Sequence, residues 1–277
     1  MQLLENLIIF SLAQHLHEFR IKTQITQNMK TPIFNFPLLL FILLSVLSCS
    51  DDDDNVSEAK CTPIEKGTKI MPLGASRVQG FPGVFESYRY KLWKDLVDGA
   101  FEFDFVGTNQ DLWEYESYKN FCFDNEHEGR GGWTAAQINA NIDTWLKSVG
   151  DVDIVLFSSP GGNDALSGAD FNGIVANINA IIGKIQAHNP NITIIIEQLA
   201  PGKSSFMTDE YKLLFAQMKT VIAQIASSQT TTTSKVIVVD MATGFTDDLL
   251  ADDIHYNKAG AEFIAERYYN KLAPLLN

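Results

Sequence analysis

Five short runs rich in β-branched and aliphatic residues punctuate the chain: KIMPL (69–73), FDFVG (103–107), DIVLFS (153–158), NITIIIEQL (191–199) and KVIVVDM (235–241). Each is apolar almost without interruption, so each must be buried on both faces, and strands of that kind belong in a parallel sheet covered by helices on either side. The segments between them supply those helices. Ile138, Ile142, Trp145 and Val149 recur at spacings of four, three and four, one face of a 3.6-residue helix. Tyr211, Leu214, Phe215, Met218, Val221, Ile222 and Ile225 draw the same stripe over 208–226, behind Asp209 and Glu210, which suit a first helical turn. Alternation of this kind predicts an α/β fold in three layers, α/β/α, around a five-stranded parallel sheet. In such sheets ligands bind beyond the carboxyl ends of the strands, so the residues just after each run are the first to inspect.

The charge balance narrows the partners. With Lys+Arg 21 against Asp+Glu 34 and a formal net charge of −13, the chain has no basic surface with which to hold a phosphate backbone, and nucleic acid is excluded.

The first part of the chain reads as an address. Residues 36–48, FPLLLFILLSVLS, are too short to span a bilayer comfortably, follow Lys30 and end in small residues, as a secretory signal does. Val46-Leu47-Ser48-Cys49 resembles a bacterial lipobox, in which the cysteine becomes the lipid-bearing first residue. This divides the chain into an upstream extension over 1–28, ahead of a true start at Met29, a lipoprotein signal over 29–48, an acidic tether over 49–66 and a catalytic domain over 67–277. The run SDDDDN after Cys49 cannot pack against itself and stays solvated, either as a plain spacer or as an acidic tag of a surface lipoprotein. The expected location is outside the cytoplasm, on a bacterial membrane through lipid on Cys49. In an oxidising compartment Cys61 and Cys122 form either a disulfide or two buried thiols; the sequence leaves both open.

Three strand ends converge on hydrolytic chemistry. Gly74-Ala75-Ser76 follows the first run and puts a hydroxyl at a strand-to-helix junction, although a serine there is by itself more often a cap. Near the C-terminus stands Asp252-Asp253-Ile254-His255. A serine nucleophile needs an imidazole to take its proton and a carboxylate to fix the imidazole tautomer, and an Asp three residues before a His can turn back onto the ring. Asp253 is also within reach, and spacing favours Asp252. Of the other histidines downstream of Cys49, His188 sits at a helix end where the helix dipole accounts for it, and His127 opens a glycine-rich turn through Gly131, Gly132 and Trp133. Pro160-Gly161-Gly162-Asn163-Asp164 follows the third run, with glycines that admit close backbone approach and an amide suited to an oxyanion. The histidines lack paired metal-ligand spacing, and no GxSxG elbow occurs, so neither a metal site nor α/β-hydrolase chemistry is expected. No cofactor is implied.

Serine in the first block, glycine in the second, GxND in the third and DxxH in the last resemble the SGNH (GDSL-type) hydrolase superfamily, whose fold is a flavodoxin-like α/β/α sandwich. Within it, KIMPLGAS (69–76), YRYKLWKDL (88–96), DFVGT (104–108), EHEGRGGWTAAQI (126–138) and NIDTWL (141–146) are similar to carbohydrate esterase family three, whose characterised members are acetylxylan esterases. The resemblance covers about residues 67–275. It implies Ser76 as nucleophile, His255 as general base, Asp252 as orienting carboxylate, and an oxyanion hole made by the Ser76 amide, the Gly132 amide and the Asn163 side chain. One departure is visible: the usual GDS is GAS here, with Ala75 beside the nucleophile, and this leaves room for altered activity. The leading expectation is therefore an esterase acting on an acetylated carbohydrate. A short-chain lipid or thioester hydrolase would use the same residues, and a glycan-binding lipoprotein without catalysis has Ala75 as its support.

Overall fold

In a computed structural model, residues 61–276 are described. The expected signal, Cys49 and most of the acidic tether therefore lie outside the described residues. The chain folds into a sheet of seven strands: β1 (Thr68–Gly74), β2 (Phe103–Phe105), β3 (Asn109–Gln110), β4 (Glu126–Gly129), β5 (Ile154–Phe157), β6 (Thr193–Gln198) and β7 (Lys235–Asp240). The helices are α1 (Ser76–Gln79), α2 (Arg89–Asp98), α3 (Ala135–Val149), α4 (Gly162–Leu166), α5 (Phe171–His188), α6 (Asp209–Gln229) and α7 (Lys258–Leu272). None among the described residues is long and apolar enough to cross a membrane.

The five apolar runs are the parallel strands β1, β2, β5, β6 and β7, and β1 lies inside the sheet between the β2/β4 edge and β5. The sheet carries two strands more than expected, both short and polar. One edge of β1 is shared: Thr68–Ile70 pair with β2, and Leu73–Gly74 pair with β4, which runs parallel to β1 and antiparallel to β3.

Alternate residues along each strand face opposite cores, as the period-two pleat requires. Met71, Val155, Phe157, Ile194 and Ile196 pack with α3, α5 and α6 through Ile142, Ile178, Ile181, Met218 and Ile222. Ile70, Phe103, Ile154, Leu156 and Ile195 face the other way, onto Leu92, Trp93, Ile264 and Tyr268 of α2 and α7. The stripes read from sequence are the buried faces, with Ile138, Ile142, Trp145, Met218, Ile222 and Ile225 all buried.

Helix starts are set by local chemistry. Thr134 caps α3 and its backbone N–H is met by the Gln137 side chain, a reciprocal box, and Asp170, Thr208 and Asn257 cap α5, α6 and α7. Cys61 and Cys122 form a disulfide, and beside it Thr62 donates its backbone N–H to Asn120 O (2.8 Å) and accepts the Cys122 N–H (3.0 Å). The N-terminal segment is thus fastened to the domain from Cys61 onward, ahead of the boundary drawn at 67.

Candidate active site

Ser76, Gly132, Asn163, Asp252 and His255 lie at carboxyl ends of strands or in the loops that follow them. Ser76 opens α1 directly after β1. His255 sits in the loop that precedes α7, and that loop is held by hydrogen bonds from Ala251 N–H to the His255 carbonyl (2.8 Å) and from the Asn257 side chain to Asp248 O (2.6 Å).

The two meet. His255 Nε2 is 2.9 Å from Ser76 Oγ, and His255 Nδ1 is 2.7 Å from Asp252 Oδ2. Asp252 is the partner, and its other oxygen accepts the backbone N–H groups of Ile254 (2.9 Å) and His255 (2.7 Å). Burial pushes the Asp252 carboxyl up, but the His255 ring and these N–H donors outweigh it and hold the group well below the usual carboxylate range. An ionised carboxylate on Nδ1 favours the tautomer with hydrogen on Nδ1 and a lone pair on Nε2, aimed at the serine.

The second and third loops are stitched to the turn that carries Ser76. Arg130 N–H donates to Gly74 O (3.1 Å), and Gly131 N–H donates to the Gln79 side chain on α1 (2.6 Å). Gly129 approaches α1 so closely that a Cβ there would come within 2.5 Å of Gln79 N. Asn163, on α4, donates from Nδ2 to Trp133 O at 2.8 Å, which uses one of its two amide hydrogens. Gly132 takes φ +78°, a conformation that favours glycine, and its N–H and that of Ser76 have no partner among the described residues. Three donors are thus left for a ligand: the Ser76 and Gly132 amides and the second Asn163 hydrogen.

Residues that the sequence did not single out hold this arrangement. Arg77, adjacent to Ser76, is buried, and its guanidinium donates to Ile254 O (2.9 and 2.6 Å), Ala200 O (2.8 Å) and Pro201 O (3.3 Å) while lying over the Tyr256 ring. Arg89 closes the far end of α1 by donating to Val78 O (2.7 Å) and Gln79 O (3.0 Å), and it forks onto Asp111 at 2.7 and 2.8 Å. His127 completes that cluster, with Nε2 3.1 Å from Asp111 and Nδ1 accepting the Gly129 N–H at 2.9 Å. Because Nδ1 must accept, the ring is neutral with its hydrogen on Nε2; burial and the Arg89 charge lower its pKa to about 4.

Glu197 on β6 is fully buried and accepts the Ser159 N–H at 2.7 Å, at a residue held at φ +45°, where the loop to Asn163 begins. Burial pushes its pKa up. The signal for Glu197 was a lone carboxylate ending an apolar strand; for Arg77 it was adjacency to Ser76. Ala75 occupies the N-cap of α1 and makes no side-chain cap bond, and none of the Ser76, His255 and Asp252 contacts involves its side chain.

The family profile of the GDSL-like lipase/acylhydrolase family matches residues 107–263. The chain belongs to that family. It is a carboxylic ester hydrolase with the SGNH hydrolase fold. Among solved structures, this GDSL-like hydrolase is similar to a carbohydrate esterase family 3 protein from Talaromyces cellulolyticus, with 29% identity over 76% of this chain and 98% of that one and a TM-score of 0.65. It is also similar to a Clostridium thermocellum family 3 carbohydrate esterase, at 27% identity, 76% and 98% coverage and a TM-score of 0.62. An acetyl esterase mutant with acetate ion gives 28%, 76%, 98% and 0.65. No curated protein matches the sequence.

Proposed function

We propose that this chain is a serine esterase that removes acetyl groups from a polysaccharide or oligosaccharide through Ser76, His255 and Asp252. The observation that carries the reading is the chain of contacts Ser76 Oγ to His255 Nε2 (2.9 Å) and His255 Nδ1 to Asp252 (2.7 Å), beside three N–H donors without partners. The names of the similar structures, carbohydrate esterases and an acetyl esterase, support acetyl as the acyl group and a sugar as the alcohol.

The roles follow from the atoms. Ser76 Oγ attacks the ester carbonyl as His255 Nε2 takes its proton, and Asp252 stabilises the imidazolium that forms. The carbonyl oxygen becomes an oxyanion and receives hydrogen bonds from the amides of Ser76 and Gly132 and from Asn163. His255 returns its proton to the leaving sugar oxygen, which departs as the alcohol and leaves Ser76 acetylated. Water then enters, gives a proton to His255 and releases acetate with the serine restored.

The lipobox-like sequence at Cys49 supports an anchor on a bacterial membrane, and the Cys61–Cys122 disulfide supports an oxidising compartment outside the cytoplasm. The test is acetate release across acetylated xylan, acetylated monosaccharides and esters of longer acids. Release chiefly from acetylated sugars is the expected result, and a preference for long acyl esters would replace the reading with a lipid hydrolase.

A further inference from the structure

An exposed aromatic surface begins at the catalytic base and runs away from it. The Phe85 ring stacks on the His255 imidazole, with centroids 4.0 Å apart and planes 17° from parallel. Phe81 is 6.3 Å from Phe85, and Trp113 meets Phe81 edge to face at 5.1 Å. Phe85 is buried, whereas Phe81 and Trp113 are exposed by 36% and 42%. Large rings left in water need a reason, because burying an aromatic side chain is among the more favourable things a fold can do with it.

Both rings are held in place. Phe81 and Phe85 pair across a tight turn through reciprocal backbone bonds of 3.0 Å. The loop that carries Trp113 is anchored by the buried Arg89–Asp111 ion pair (2.7 Å), by Asn125 Nδ2 donating to Asp111 O (3.3 Å) and by the Cys61–Cys122 disulfide. A surface pre-ordered in this way loses little freedom when it binds.

The reaction says which part of the substrate it meets. The acyl carbonyl must point its oxygen at the amides of Ser76 and Gly132 and at Asn163, while the leaving oxygen must lie where His255 can protonate it. The alcohol therefore departs on the His255 side, which is the side that carries the rings. We propose that Phe81 and Trp113 form a stacking platform for a neutral pyranose ring of the leaving alcohol, one that makes the enzyme favour acetyl groups on sugars over those on small alcohols. The two rings stand at 86° to one another, so the face of one can take the C–H face of a pyranose while the other forms a wall beside it. Exposed Glu114, next to Trp113, and the net charge of −13 disfavour an acidic sugar. The inference rests on the reading of the chain as a carbohydrate deacetylase and adds the surface that recognises the sugar.

The test compares kcat/KM for an acetylated xylo-oligosaccharide with that for ethyl acetate, whose ethanol is too small to reach the platform, in the wild type, Trp113→Ala and Phe81→Ala. Both side chains are exposed, so both variants should melt as the wild type does. The expected result is that the sugar-to-ethyl ratio falls roughly tenfold in each variant, chiefly through a higher KM for the oligosaccharide, with Trp113→Phe recovering most of it. A ratio unchanged in both variants, with the wild type active on the oligosaccharide, overturns the platform and leaves the deacetylase reading intact. A wild type that cleaves ethyl acetate but not the oligosaccharide removes that reading and the platform with it. Loss of a preference for ethyl hexanoate over ethyl acetate in the variants would assign the rings to an acyl chain and also overturn the proposal.

Discussion

Arg77 grips the carbonyl of Ile254 with two nitrogens, at 2.9 and 2.6 Å, so the residue after Ser76 holds the residue before His255. The serine and histidine are far apart in the chain, yet a single buried guanidinium fixes the distance between their loops and ties both to Ala200 and Pro201 beyond β6. A lysine cannot reproduce this fork, because its ammonium is a compact charge on a flexible stem.

For Arg77→Lys the expected result is a kcat at least tenfold lower on an acetate ester with KM within about twofold, in protein that retains its circular dichroism spectrum. Restoring a fork is not possible with any other residue, so Arg77→Met should lose as much kcat and also lower stability by about 2–4 kcal/mol, through three carbonyls left without donors. A wild-type kcat in Arg77→Lys would show that the clamp does not position the base.

Asn163 has one amide hydrogen committed to Trp133 O and one to offer. Asn163→Ala should lower kcat by roughly a hundredfold or more, about 3 kcal/mol of barrier, while Asn163→Asp, which lacks the donor, should be no better. Steady-state kinetics on 4-nitrophenyl acetate measures both. A loss under threefold would leave the oxyanion to the two backbone amides.

His127 gives a pH signature. Its folded pKa, near 4, lies below the ordinary value of about 6.5, so the unfolded chain binds the proton more readily, and the stabilisation present above pH 6.5 is lost as pH falls toward 4. Urea unfolding should therefore show about 1–2 kcal/mol less stability at pH 5 than at pH 7 from this residue. His127→Gln, compared with the wild type at each pH, should flatten the difference; an equal slope in both proteins would place the titration elsewhere.

The disulfide closes a separation of 61 residues. Loop entropy of that size is worth about 4 kcal/mol, and a domain of this length should melt on the order of 10 °C lower in the Cys61→Ser, Cys122→Ser pair. Calorimetry checks it. Because the bond also anchors the loop carrying Trp113, acetylated oligosaccharide turnover should fall more than ethyl acetate turnover.

The parallel strands and the helix stripes were legible because burial on one or both faces imposes a period, and Ile70, Ile142 or Ile222 can satisfy it only one way. Ser76, Asp252 and His255 were legible as residue types at strand ends. What escaped was polar. Residues 126–129, Glu-His-Glu-Gly, do not read as a strand, yet His127 and Glu128 are buried there because Asp111 answers His127 from another loop, and Thr108 N–H and the Arg130 side chain, two residues on, answer Glu128. Arg77 and Arg89 look like surface residues until their carbonyl partners are in place, and those partners lie as far away as Ile254. A hydrogen-bonded interior carries no periodic mark in the sequence.

The most direct test is acetate release by Ser76→Ala, on acetylated xylan and on 4-nitrophenyl acetate, in protein whose melting matches the wild type. With the hydroxyl gone there is no oxygen to acylate, and turnover should fall by at least a thousandfold on both substrates. Acetate released at the wild-type rate would mean that the ester is opened by some other group, and the roles given to His255 and Asp252 would fall with it.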